Sequence, residues 1–249
     1  MKKLIFIFFI FPTLYSFSQW TPQISGTNLF LWNIQFTTPN IGYVIGDNNF
    51  FAKTTNGGIN WISINTGANA SRLFFVNDTI GILYNGDNFY RTTNGGATFT
   101  PLFSAGNPVL NAYVVDFPSV NIGYAASTNI NDSVTIYKTS DQGATWNYAG
   151  YINANVNMIM NIHFATDSIG YLSADFGRIY KTTDGGQTWN LNYTTLSSLE
   201  VYDLHFPSPQ FGYGVVFTGD IIKTNDGGNS WSETTPPFSP YNLSFILFL

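Results

Sequence analysis

Cysteine is absent from this sequence of 249 residues, histidine occurs twice, and only 9% of the residues are charged. Without cysteine there can be no disulfide, no thiolate nucleophile, no cysteine metal ligand and no lipid-modified N-terminal cysteine. Stability must therefore come from packing, which a chain of this length can supply. With so few charges the surface has to be covered by Asn, Thr, Ser and Gly, residues that favour turns and strands over helix interiors. Long apolar runs are missing too. The most apolar stretch, residues 4 to 14, falls well short of the roughly 20 residues a helix needs to span a bilayer.

That stretch follows Lys2 and Lys3 and leads to small residues at Ser16 and Ser18, the layout of a secretory signal peptide over residues 1–18. Cleavage after Ser18 would leave residues 19–249 as the exported domain, with no integral membrane segment, at the cell surface, secreted or in the periplasm. Losing Lys2 and Lys3 leaves seven basic residues against fourteen acidic ones, a net charge near −7. So acidic a chain offers no phosphate-binding surface, which excludes nucleic acid as the expected partner.

What the chain does have is repetition. "KTTNGGINW" (53–61), "RTTNGGATF" (91–99), "KTSDQGATW" (138–146), "KTTDGGQTW" (181–189) and "KTNDGGNSW" (223–231) recur with one pattern. Each is preceded by a Gly-Tyr pair at 42, 123, 170 and 212, degraded to Gly81-Ile82 in the second repeat. Before that comes an alternating apolar segment: "WNIQF" (32–36), "LFFV" (73–76), "VVDF" (114–117), "NIHF" (161–164) and "DLHF" (203–206). A period of two marks strands. The second glycines, at 58, 96, 143, 186 and 228, are spaced 38, 47, 43 and 42 residues apart, close to one four-stranded propeller blade of roughly 40 to 45 residues. The expected fold is an all-β propeller with five complete blades and no helix.

The glycine turn itself is expected to be structural. An Asp or Asn side chain at 56, 94, 141, 184 or 226 can accept a backbone bond two residues on while the glycines take positive φ. Asn replaces Asp in two copies, an exchange an Asx turn tolerates and a general acid or calcium ligand does not. The terminal Trp61, Phe99, Trp146, Trp189 and Trp231 would pack on the sheet.

"TSDQGATW" (139–146) and "TTDGGQTW" (182–189) resemble the Asp box of the bacterial neuraminidase repeat, with looser copies at 54–61, 92–99 and 224–231. The longer unit is similar to propellers related to the photosystem II assembly and stability factor. The resemblance implies a hairpin between the third and fourth strands of each blade, away from any ligand face, and implies neither catalysis nor a cofactor.

In the same register, residues 242–249 read as the first strand of a sixth blade and Trp20 as the last strand of a preceding one. Either 20–28 and 242–249 share a closing blade, or the reading frame runs on; the exposed "FILFL" favours the second. Two candidate sites follow. An insertion in the third repeat, 126–137, is a natural binding loop. On the innermost strands one polar position holds Gln35, Asp116, His163 and His205, with Asn33, Asn161 and Asp203 two residues earlier. Asp116, His163, Asp203 and His205 could line a channel as ligands for a metal or a small polar molecule, or simply be satisfied polar groups facing channel water.

Sialidases clamp their substrate's carboxylate with clustered arginines, and this chain has only Arg72, Arg91 and Arg178. A neutral-sugar hydrolase needs two carboxylates roughly 5 to 10 Å apart, for which Asp116, Asp175, Asp203 or Asp220 are available without a signature that selects a pair. The sequence thus points to a non-catalytic module that binds or scaffolds a protein or glycan, with an extracellular glycosidase as the alternative.

Overall fold

In the computed structural model, the described residues are 23–85, 88–102, 113–128, 133–153 and 155–235. Residues 1–18, read above as a signal peptide, together with Trp20, residues 242–249 and part of the third-repeat insertion (129–132), lie outside them. Each of five repeats folds into a four-stranded antiparallel meander, in chain order. Blade 1 comprises β1 (Leu31–Phe36), β2 (Gly42–Gly46), β3 (Phe50–Thr54) and β4 (Ile62–Ser63). Blade 2 comprises β5 (Arg72–Phe75), β6 (Gly81–Asn85), β7 (Asn88–Thr92) and β8 (Thr100–Pro101). Blade 3 holds β9 (Val114–Asp116), β10 (Gly123–Thr128), β11 (Ser133–Thr139) and β12 (Asn147–Asn153). Blade 4 holds β13 (Ile159–Phe164), β14 (Gly170–Ala174), β15 (Arg178–Thr182) and β16 (Asn190–Thr194). Blade 5 holds β17 (Val201–His205), β18 (Gly212–Val216), β19 (Ile221–Thr224) and β20 (Ser232–Thr234). First strands lie beside first strands of neighbouring blades, β1 by β5, β9 by β13 and β13 by β17. The molecule is a β-propeller, and its cores are the four apolar layers between successive blades.

One aromatic per blade organises this packing. Phe36, Phe75, Phe117, Phe164 and Phe206 close the first strands, and each ring lies over the glycine that opens the next strand. A Cβ on Gly42, Gly81, Gly123, Gly170 or Gly212 would sit 2.3 to 2.7 Å from that ring, so only hydrogen fits. The register of the second repeat therefore makes Phe75, paired with Gly81, the closing residue rather than Val76. The tyrosine after the glycine stacks on the closing ring of the following blade. Tyr43 lies 3.5 Å from Phe75, Tyr124 3.5 Å from Phe164 and Tyr171 3.8 Å from Phe206, all within 6° of parallel. Trp146, Trp189 and Trp231 then meet Phe117, Phe164 and Phe206 of their own blades edge-on. Gly-Tyr, closing Phe and Trp are thus parts of one aromatic joint. Where the second repeat has Ile82, Phe74 stacks on Phe117 instead, at 5.4 Å.

The glycine turns depart from the expected bonding. The side-chain bond spans four residues: Asn56 accepts from the Asn60 amide, Asn94 from Thr98, Asp141 from Thr145, Asp184 from Thr188 and Asp226 from Ser230. The bond across two residues goes to the preceding threonine, as Asp184 N–H donates to Thr182 Oγ1. That hydroxyl also accepts from the Gly186 amide, so threonine holds the inside of the turn and Asp or Asn the outside. The glycines take positive φ as expected, and Gln142 does so in glycine's place at 63°.

Two further expectations need correction. A helix was not expected, yet single 3₁₀ turns occur at Asp47–Asn49 and Asp175–Gly177. The third-repeat insertion is mostly not loop, because β10 and β11 pair from Gly123 with Thr139 to Thr128 with Val134. The extra residues build a taller hairpin.

Candidate functional site

The first strand of each blade is a sheet edge, so its N–H and C=O groups on the channel side lack ladder partners. Side chains from the preceding blade meet them. Gln35 Nε2 donates to Phe75 O at 2.9 Å, and its Oε1 accepts from Phe75 N at 2.6 Å. Asn33 Oδ1 accepts from Leu73 N at 3.1 Å. Asp116 Oδ2 accepts from Phe164 N at 2.6 Å, and His163 Nε2 lies 3.3 Å from Phe206 O. A carbonyl can only accept, so Nε2 carries the hydrogen. The polar position of the repeat, read from sequence as a possible ligand ring, clamps one first strand to the next. In blade 2 the same position is Phe74, and a ring stack replaces the clamp.

The structure brings three of the four singled-out residues into a line along the channel wall. His163 Nδ1 lies 3.7 Å from Asp116 Oδ2, and the His163 and His205 ring centroids are 5.0 Å apart. Asp203 belongs to a second pair, accepting from Asn161 Nδ2 at 2.7 Å. Burial pushes the Asp116 carboxyl above its usual range, with His163 acting in the opposite sense. Burial, and then His163, lowers His205. Among the described residues no group of three or more His, Asp or Glu is arranged to hold a metal ion.

The remaining carboxylates considered for sugar hydrolysis are also engaged. Asp175 accepts from the Asn157 amide at 2.9 Å and pairs with Arg178. Asp220 accepts from the Thr218 hydroxyl. The cations of the repeat are placed by the same logic. Lys53 Nζ donates to Gly95 O at 2.9 Å, Lys181 Nζ to Gly227 O at 2.6 Å and Arg91 Nε to Gln142 O at 3.0 Å. Each latches onto the glycine turn of the following blade. This role is invisible within one repeat, because donor and acceptor sit about one period apart.

One feature went unread in the sequence. A cavity of about 390 Å³ opens beside the ends of β1, β5 and β9, lined in part by Phe36, Phe74, Phe117 and Pro118. Its signal was Phe74, the one aromatic in a position that is polar in the other four repeats.

A family model described as BNR/Asp-box repeat matches residues 180–191. No curated protein matches the chain. Among solved structures, a GH74 enzyme from Niastella koreensis is similar with a TM-score of 0.64 at 17% identity, over 82% of this chain and 38% of that one. This chain therefore spans little more than a third of that enzyme. An inactive variant of virginiamycin B lyase from Staphylococcus aureus, with quinupristin, gives 0.69 at 13% identity over 88% of this chain and 74% of that one. YCF48 from Cyanidioschyzon merolae gives 0.51 at 16%, over 84% and 70%. At such identities the likeness is one of fold.

Proposed function

We propose that this chain is an exported, non-catalytic β-propeller that binds or scaffolds a protein or glycan. The supporting observation is that Asp116, Asp175, Asp203 and Asp220 are each hydrogen-bonded within the fold, holding a strand, a loop or a neighbouring side chain. A hydrolase needs two carboxyls facing an open cleft. Asp116, His163, Asp203 and His205 act in this reading as parts of the channel wall rather than as metal or substrate ligands. The five glycine turns are Asp-box hairpins, and the ring is either open or continued by a sixth blade. Export rests on the signal-peptide pattern of residues 1–18, and the site of action is the cell surface, the medium or the periplasm.

The second reading, an extracellular glycosidase, is favoured by the likeness of fold to a GH74 enzyme. One experiment separates the two. The purified chain is incubated with neutral and sialylated polysaccharides while reducing-end release and retention on the insoluble polymers are both followed. The binding reading expects no release. Release that disappears in Asp116→Asn or Asp203→Asn, with the fold retained, would replace it by the glycosidase reading.

A further inference from the structure

The cavity beside the ends of β1, β5 and β9 lies on the face that the glycine turns occupy, and those turns hold its rim. The Gly57 amide donates to Asn40 O at 2.9 Å, the Gly95 amide to Thr79 O at 2.8 Å and the Gln142 amide to Asn121 O at 3.2 Å. Each bond fixes the loop that follows a first strand, and Thr37, Val76 and residues 118–120 of those three loops line the cavity. The walls are therefore built by the fold itself. At about 390 Å³ the cavity falls within the roughly 300 to 1,000 Å³ of ligand pockets.

Its lining is apolar where the repeat is polar. Gln35, Asp116 and His163 each bond the next first strand from one position of the repeat, and in blade 2 that position holds Phe74, half-buried and stacked on Phe117. Phe74 gives up a clamp to place a ring in this wall, and sequences break their own rules at functional sites. Among the described residues no charged side chain lines the cavity. Of its polar residues, Gln35 commits both ends of its amide to Phe75, and the Thr37 hydroxyl donates to Asp78. Sugar hydroxyls would enter such a wall largely without partners, which is costly. An uncharged aromatic ring would not. Phe36 and Val120, 43% and 48% exposed, carry the apolar surface beyond the cavity, which suits a side chain anchored in a longer chain rather than a free small molecule.

We propose that the cavity receives an aromatic side chain of a partner polypeptide, seated against Phe36, Phe74 and Phe117, with Ser119 supplying a hydroxyl for the backbone beside it. This rests on the binding function proposed above and selects protein from the two partner classes named there. It also puts the ligand on the face of the glycine turns, which the family resemblance would leave without one.

The probes are capped Gly-X-Gly peptides, with Phe, Trp or Ser as X, and cellohexaose, each titrated into the full chain and followed by saturation-transfer NMR. The Phe and Trp peptides are expected to bind at least about tenfold tighter than the Ser peptide, and to lose that advantage in Phe74→Gln, which copies Gln35 of blade 1. Where that variant does not fold, Ser119→Cys decides, because the chain has no other cysteine. The Phe peptide should slow its alkylation by iodoacetamide, and the Ser peptide should not. Binding of no peptide, equal binding of the Phe and Ser peptides, unchanged binding by folded Phe74→Gln, or alkylation that the Phe peptide does not slow would overturn the proposal. A mass that rises with protein concentration in the unaltered chain and not in Phe74→Gln would seat a second copy there and overturn it too. Cellohexaose bound in place of the peptides would overturn this proposal and leave the binding function standing, whereas reducing ends released from it would overturn that function and the proposal with it.

Discussion

The Tyr171 ring lies flat on Phe206 of the next blade, with centroids 3.8 Å apart and planes 6° from parallel. Stacked rings usually prefer an offset. Here the tyrosine is held from its far end as well, because its hydroxyl donates to Gly227 O at 2.7 Å. Tyr43 and Tyr124 do the same to Asp78 O and Asp167 O. The ring and the hydroxyl can be separated by mutation. Tyr171→Phe should cost about 1 kcal/mol, the net worth of one hydrogen bond, and Tyr171→Ala about 3 to 5 kcal/mol through loss of a buried aromatic. Urea unfolding of the two variants checks the ranking; equal losses would mean that the stack contributes little.

Gly170 and Gly67 are glycine for different reasons. Gly170 has ordinary φ, but a Cβ would stand 2.5 Å from Phe164 Cε1. Gly67 has open space around it and a φ of +64°. Gly170→Ala should therefore lose about 1 to 3 kcal/mol by overpacking, and Phe164→Leu in the same chain should recover part of that loss. Gly67→Ala should lose about 1 kcal/mol with no such rescue. A double-mutant cycle on 164 and 170 reads the difference.

The repeat, its period and the propeller were legible because each blade writes the same landmarks into the sequence. The joints were less legible. Gly-Tyr, closing Phe and Trp could be listed as neighbours along the chain, but Tyr171 and Phe206 meet only because blade 5 packs on blade 4. The same holds for Lys181 and Gly227. The polar position of the first strands left ligands and satisfied polar groups both open, because a sequence does not show which backbone edges lack partners. Gln35, Asp116 and His163 differ in chemistry and share a task, to bond a neighbouring strand edge, which hides it from pattern matching.

Two groups make the protein sensitive to acid in two different pH ranges. The Ser230 hydroxyl and amide, with the Thr224 hydroxyl, hold Asp226 down to about 2 from 3.8. Its folded pKa is depressed, so its contribution is present above pH 3.8 and is lost as pH falls towards 2. His205 is lowered from 6.5 by burial and by His163. The unfolded chain then binds its proton more readily, and stability falls as pH drops below 6.5. His205→Gln should flatten the stability profile between about pH 7 and 5. Asp226→Asn, which copies the turns at Asn56 and Asn94, should leave that range unchanged and flatten the profile only at lower pH. Thermal unfolding across the pH series checks both.

Phe176 is the residue most at odds with its surroundings. It sits in the left-handed region at φ 56°, where a bulky side chain is strained, and it is 58% exposed. The matching turn of blade 1 places Asn48 there, at φ 55°, and asparagine tolerates that conformation with a polar side chain in water. Among the described residues, the return for the ring is the Arg178 guanidinium, 5.4 Å from its centroid, worth about 0.5 to 1 kcal/mol at an exposed site. Strain of about 1 to 3 kcal/mol outweighs it. Phe176→Asn should therefore stabilise the protein by roughly 1 kcal/mol, seen as a higher midpoint in thermal unfolding. A lower midpoint would mean that the ring contributes packing worth more than its backbone strain, with Arg178 the first place to look for it.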